Sequence, residues 1–265
     1  MQTKLAETAG FCFGVDRAVA LVEQAVREGK RVATLGPIIH NRHVIERFKT
    51  LGVREIAAPE EAAAGECVVI RSHGVSRAVM EALEKMGVEI VDATCPFVKK
   101  IHRIISAAAE NGQQPVIIGT RAHPEVQAIA GWCSAPLVFE SPEEFASWLA
   151  DDAKRTEIPI RMVCQTTSTQ NLWKKTCEIA KKECTNCEIF DTICKATEMR
   201  QKEATTLAKQ CDAMVVVGDA RSSNTGRLAD ICRQYCKHVA LVDSAAELDM
   251  LLLSNAKTVG ITAGA

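Results

Sequence analysis

Ile90-Val-Asp-Ala-Thr-Cys-Pro96 decides how this chain is read, because the pattern returns about a hundred residues later as Ile189-Phe-Asp-Thr-Ile-Cys-Lys195. Both stretches run from apolar residues into an aspartate, a threonine and a cysteine. Both then open a helix-like segment with basic residues, Lys99 and Lys100 in one, Arg200 and Lys202 in the other. A looser third copy, Ala9-Gly-Phe-Cys-Phe-Gly14, also places a cysteine at the mouth of a long helix. Self-similarity of this kind marks a fold assembled from reiterated units. Cys12, Cys95 and Cys194 therefore read as three cysteines at equivalent strand-to-helix junctions.

Outward from these junctions, short apolar runs alternate with amphipathic helices, the pattern of a parallel α/β protein. Strands are expected at 31–36, 67–71, 115–119, 213–219 and 258–261. Val15, Val19, Val22 and Val26 recur at helical spacing before Gly29, and Phe97, Ile101, Ile104 and Ile105 do so before Asn111-Gly112. The repeat divides the chain into three α/β units with small, mostly parallel sheets, at 13–96, at 97–193, and at 194–265 completed by 1–12. In such units the loops after the strand C-terminal ends share one face, where ligands collect. Those loops are polar here. The first offers His40, His73 and Cys95; the second His123, Glu125, Thr166, Thr167 and Cys194; the third Ser222, Ser223, Asn224 and Cys12. A pseudo-threefold arrangement of the units, a trefoil, would bring the three cysteines to its centre.

Composition narrows the function classes. The chain has 265 residues, 47% hydrophobic, enough for a sizeable core. Lysine and arginine number 32 against 33 acidic residues, so no excess charge draws it to nucleic acid or to an anionic membrane. No apolar run approaches the roughly 18 residues of a spanning helix. A cytoplasmic protein with a small-molecule partner is the expectation. Twelve cysteines fall short of a disulfide scaffold. Cys67, Cys164 and Cys211 are expected as small core residues, Cys184 and Cys187 as surface thiols rather than a zinc pair, and Lys99 and Lys100 as a solvated face.

Thiolates are favoured at helix N-termini, where the dipole and unpaired N–H groups meet negative charge. Three of them suit an iron–sulfur cluster, and a four-iron cluster held by three cysteines keeps one iron open as a Lewis acid. Their sequence separations match no local metal motif, so three unrelated cysteines is the competing reading. His40, His73 and His123 lie in short polar loops as donors for an anion, or as ordinary solvated loop residues. Ser222-Ser-Asn224 reads as a phosphate cradle or as a helix N-cap. Glu125 reads as a proton donor, with Thr166 or Thr167 as relay, or as a carboxylate in a helix first turn.

Taken together, Gly10-Phe-Cys-Phe-Gly-Val15, Ile39-His-Asn-Arg42, Arg71-Ser-His-Gly74, Asp92-Ala-Thr-Cys-Pro96, His123-Pro-Glu-Val126, Gln165-Thr-Thr167, Asp191-Thr-Ile-Cys194, Ser222-Ser-Asn224 and Thr262-Ala-Gly264 resemble the 4-hydroxy-3-methylbut-2-enyl diphosphate reductases. The resemblance covers nearly the whole chain. It implies a trefoil of three α/β units around a central [4Fe-4S] cluster, with ligands at Cys12, Cys95 and Cys194. It assigns diphosphate binding to His40, His73, His123, Thr167, Ser222, Ser223 and Asn224, and proton delivery to Glu125 with Thr166. The implied reaction spends two electrons and two protons to remove the substrate hydroxyl as water, giving isopentenyl and dimethylallyl diphosphates. A ferredoxin or flavodoxin is the implied electron donor.

Two positions depart from the family pattern. That pattern continues to a diphosphate-binding serine and a C-terminal helix, whereas this sequence ends at Ala265. Either the chain is shortened or the remaining donors close the pocket, and weaker binding at a more exposed site is expected. Ala122 stands where glycine is usual, with little expected effect. Two other classes compete: a dehydratase of the quinolinate synthase kind, which needs no net electrons, and a non-catalytic metal or redox sensor.

Overall fold

The computed structural model describes residues 1–264. Ala265, and with it the expectation attached to the last position, lies outside the described residues. The chain gathers into two compact units, one of 1–16, 40–45 and the segment from Cys194 onward, the other of 17–39 and 46–193.

The second unit holds two four-stranded sheets. One is built from β2 (Arg31–Leu35), β3 (Arg54–Ile56), β4 (Glu66–Ile70) and β5 (Glu89–Asp92), in the order β3-β2-β4-β5. The other comprises β6 (Gln114–Ile118), β7 (Leu137–Phe139), β8 (Ile160–Cys164) and β9 (Cys187–Ile189), in the order β7-β6-β8-β9. In the first unit, β10 (Ala213–Val217), β11 (His238–Val242) and β12 (Thr258–Ala263) are joined by the N-terminal β1 (Gln2–Leu5), in the order β1-β12-β10-β11. Every pairing is parallel.

One topology is thus used three times. Counting within each sheet, the strands stand second-first-third-fourth, and in the third sheet β1 takes the fourth place from the far end of the chain. The switch in direction between first and third strands opens a crevice beyond their C-terminal ends, where α/β proteins place ligands. His123 follows a first strand, Ser72-His73 and Gln165-Thr-Thr167 follow third strands, and Cys12, Cys95 and Cys194 each follow a fourth.

The strands form where expected because a sheet covered on both faces selects near-continuous apolar runs; all five residues of β4 are buried. The helix stripes needed more correction. In α1 (Phe13–Arg27) the buried side chains are those of Val15, Ala18, Val22 and Ala25, with Val19 and Val26 half-buried beside them. In α4 (Pro96–Glu110) Ile101 and Ile105 are buried with Val98 and His102, but Phe97 is exposed, since it lies one residue off the stripe through Val98. Cys67 and Cys164 are core residues, while Cys211 is only half-buried. Cys184 and Cys187 are not surface thiols: both are partly buried against the core of their sheet.

Candidate functional site

In the second unit the expected acid and its relay are in contact. Glu125 is 3% exposed. Its Oε1 accepts from the Thr166 backbone N–H and its Oε2 from the Thr166 hydroxyl, both at 2.6 Å. His123 caps α5 (Pro124–Ala130) and is followed by Pro124, whose fixed φ suits a first helical position. Its Nδ1 accepts from the Glu125 N–H at 3.1 Å, which assigns the neutral ring's proton to Nε2 and makes that nitrogen a donor. The His73 ring meets the His123 ring edge-on, centroids 5.5 Å apart. The Cys95 N–H donates to the Ser72 carbonyl at 2.9 Å, so the cysteine loop and the histidine loop are tied directly.

Gln165, fully buried, fixes Thr167 in this cluster. Its Oε1 accepts from the Thr120 N–H at 3.0 Å and its Nε2 donates to the Thr167 hydroxyl at 2.9 Å. Gly119 makes room for it, because a Cβ there would stand 2.7 Å from that of Gln165. Nothing in the sequence separates this glutamine from a core amide. The only signal was its place beside two threonines at a strand end.

In the first unit, Ser222 accepts from the Thr225 N–H at 3.4 Å and so is the N-cap of α9 (Ser223–Tyr235), one of its two expected roles. Asn224 follows in the first turn, 5% exposed, and its Oδ1 and Nδ2 are buried with no hydrogen-bond partner among the described residues. Leaving both ends of an amide unmatched costs about 1–3 kcal/mol per group, and such a group calls for an explanation. Thr225 is wedged against Gly218 and Gly264; a Cβ on Gly264 would fall 1.8 Å from its hydroxyl. Asp219 is clasped by Arg221 at 3.0 and 2.6 Å. That contact holds its carboxyl below the usual range, and the charge of nearby His40 adds to the effect. His40 belongs to this unit, although the β2 strand it follows in sequence lies in the other.

The cysteines sort into two kinds. Burial pushes the Cys133 and Cys177 thiols up to about 11 and those of Cys187 and Cys232 to about 12, which makes them inert. Cys95 and Cys194 are the N-cap residues of α4 and of α8 (Lys195–Ala208), and in neither does the thiol cap its own helix. Cys12 stands in the same place before α1, its carbonyl accepting from Asp16 N at 2.9 Å. All three are half-buried. Among the described residues no three His, Cys, Asp or Glu side chains are close enough to share one metal ion.

Three parallel sheets with one strand order, each delivering polar groups at strand ends, define an α/β protein of the kind that binds small molecules beyond its strand C-termini. The model of the LytB protein family matches residues 3–265, and the chain belongs to that family. A 4-hydroxy-3-methylbut-2-enyl diphosphate reductase of Thermoanaerobacter sp. (strain X514) is 39% identical over all of this chain and 92% of the relative. One of Citrifermentans bemidjiense is 38% identical over the same shares. Among solved structures, an (E)-4-hydroxy-3-methyl-but-2-enyl diphosphate reductase, described as the terminal enzyme of the non-mevalonate pathway, is similar at TM-score 0.71 and 36% identity, over all of this chain and 94% of the other. The Plasmodium falciparum E-1-hydroxy-2-methyl-but-2-enyl-4-diphosphate reductase has the same fold, with TM-score 0.92 at 24% identity over 99% of this chain and 83% of that one.

Proposed function

We propose that this chain is a 4-hydroxy-3-methylbut-2-enyl diphosphate reductase that removes the substrate hydroxyl as water, with two electrons and two protons, to give isopentenyl and dimethylallyl diphosphates. The observation that carries the reading is the buried Glu125–Thr166 pair beside His123 and His73, a proton source set among hydrogen-bond donors. In this reading Thr166, whose hydroxyl donates to Glu125, passes a proton between that acid and a bound hydroxyl. The Nε2–H of His123 donates to an anion, and His73 and Thr167 serve the same end of the substrate. His40, Ser222, Ser223 and Asn224 complete the diphosphate ligands, which gives the buried Asn224 amide its partner.

The residues fit an iron–sulfur cluster. Cys12, Cys95 and Cys194 are half-buried, stand at helix N-caps, and are the three cysteines that recur after fourth strands. A [4Fe-4S] cluster held there supplies the electrons and a Lewis-acidic iron. The division into units 13–96, 97–193, and 194–265 with 1–12, arranged as a trefoil, belongs to the same reading; each sheet lies within one of these ranges. So do a cytoplasmic location and a ferredoxin or flavodoxin as donor.

The test is turnover of the allylic diphosphate by the anaerobically loaded protein with dithionite and a viologen mediator. Formation of both five-carbon diphosphates is expected. Turnover that proceeds without a reductant would point to a dehydratase instead.

A further inference from the structure

Arg200 is a buried charge that the proposed chemistry leaves unused. It lies in α8, six residues beyond Cys194, and is 5% exposed. Its Nε donates to the Thr8 carbonyl at 2.8 Å and its Nη2 to the Gly10 carbonyl at 2.7 Å. Glu203, on the same helix, accepts from the backbone N–H groups of Glu7 and Thr8, at 2.7 and 3.0 Å, and from the Thr8 hydroxyl. The helix headed by Cys194 thus grips, through a donor and an acceptor, the loop that leads into Cys12. Gly10 completes that loop at φ +111°, a conformation open to glycine and strained for other residues. All of these residues lie within one compact unit.

The partners of Arg200 are carbonyls, which satisfy its N–H groups without neutralising its charge. Keeping a cation out of water on such terms is costly unless an anion stands near. Arranging two backbone segments is what a rigid, forked guanidinium does best. The device recurs within the other unit, where Arg17 donates to the carbonyls of Asp92 and Thr94, the residues ahead of Cys95, at 3.2 and 3.3 Å.

We propose that Arg200 is a positioning residue for the cluster: through the Thr8 and Gly10 carbonyls it fixes the backbone bearing Cys12 relative to the helix bearing Cys194. Outer-sphere groups of this kind typically change metal retention by about 10- to 100-fold.

This inference rests on the cluster reading, so the experiment separates the two. Wild type, Arg200→Gln, Arg200→Lys and Cys12→Ser are loaded anaerobically with iron and sulfide. Iron and sulfide per chain, the visible spectrum and the rate of iron release to a chelator are then measured. Circular dichroism and thermal unfolding of the metal-free proteins report on folding alone. Arg200→Gln is expected to fold without metal yet release iron about tenfold faster than wild type. Arg200→Lys, keeping the charge and one of the two bonds, falls between. Wild-type release from both Arg200 variants, beside a Cys12→Ser that does not load, overturns this inference and leaves the cluster standing. Cys12→Ser loading like wild type overturns the cluster itself. If the glutamine variant fails to fold, the lysine variant decides, and wild-type release from it counts against the proposal.

Discussion

Glu125 satisfies two descriptions at once, a carboxylate in the first turn of α5 and a buried acid joined to a hydroxyl. They predict different losses. As a proton source, Glu125→Gln lowers turnover by about 10²–10⁴-fold, with iron content and melting temperature close to wild type. As a helix-start carboxylate, the same change costs some stability and leaves turnover intact. Steady-state rates beside a thermal melt distinguish the two. His102 offers a second prediction at this scale. It is stacked on Trp132 with ring centroids 5.0 Å apart, its Nε2 buried without a partner among the described residues. Burial pulls its pKa down to about 4. An unfolded histidine binds its proton near pH 6.5 and the folded one only near 4, so the unfolded state holds more protons between those values. Stability therefore falls as pH drops through that window, by about 3 kcal/mol in all from this group. In His102→Gln the urea midpoint should shift less between pH 7 and pH 5 than in wild type, and an equal shift would remove His102 as the cause.

At the scale of elements, the start of α9 depends on two chain segments that come close only because they lack side chains. Gly218 and Gly264 both press on Thr225, and the Gly264 N–H donates to the Val217 carbonyl at 2.9 Å. Gly264→Ala must push the first turn of α9 aside, costing about 1–3 kcal/mol as overpacking does. Because Ser222 and Asn224 sit in that turn, pyrophosphate binding measured by calorimetry is expected to weaken about tenfold. Wild-type affinity would show that the close approach does not matter to the anion. The elements were also the level at which the sequence was most readable. Buried parallel strands are unbroken apolar runs, and a cysteine after such a run marks a junction whatever surrounds it. Phe97 was misread because one apolar residue cannot reveal that Val98 holds the stripe. Gln165 and Arg200 lie in stretches the sequence singles out, but their partners could not be read from it, since the Thr120 N–H and the Thr8 carbonyl are distant in number.

At the scale of the whole molecule, the three cysteine junctions could be found from a repeat, and the common strand order explains why the repeat survives at those points. What periodicity could not report is that residues 40–45 leave the strand they follow and join the unit formed by the two ends of the chain. That unit is closed by β1 lying parallel to β12, Gln2 beside Thr258 and Leu5 beside Ile261. Synthesis runs from the N-terminus, and segments fold as their partners emerge. β1, made before the other described strands, is therefore obliged to wait for the last of them, β12, before it has a neighbour in its sheet. Cys12, seven residues beyond β1, waits with it, so any group that this cysteine helps to hold is acquired only after β12 has been made.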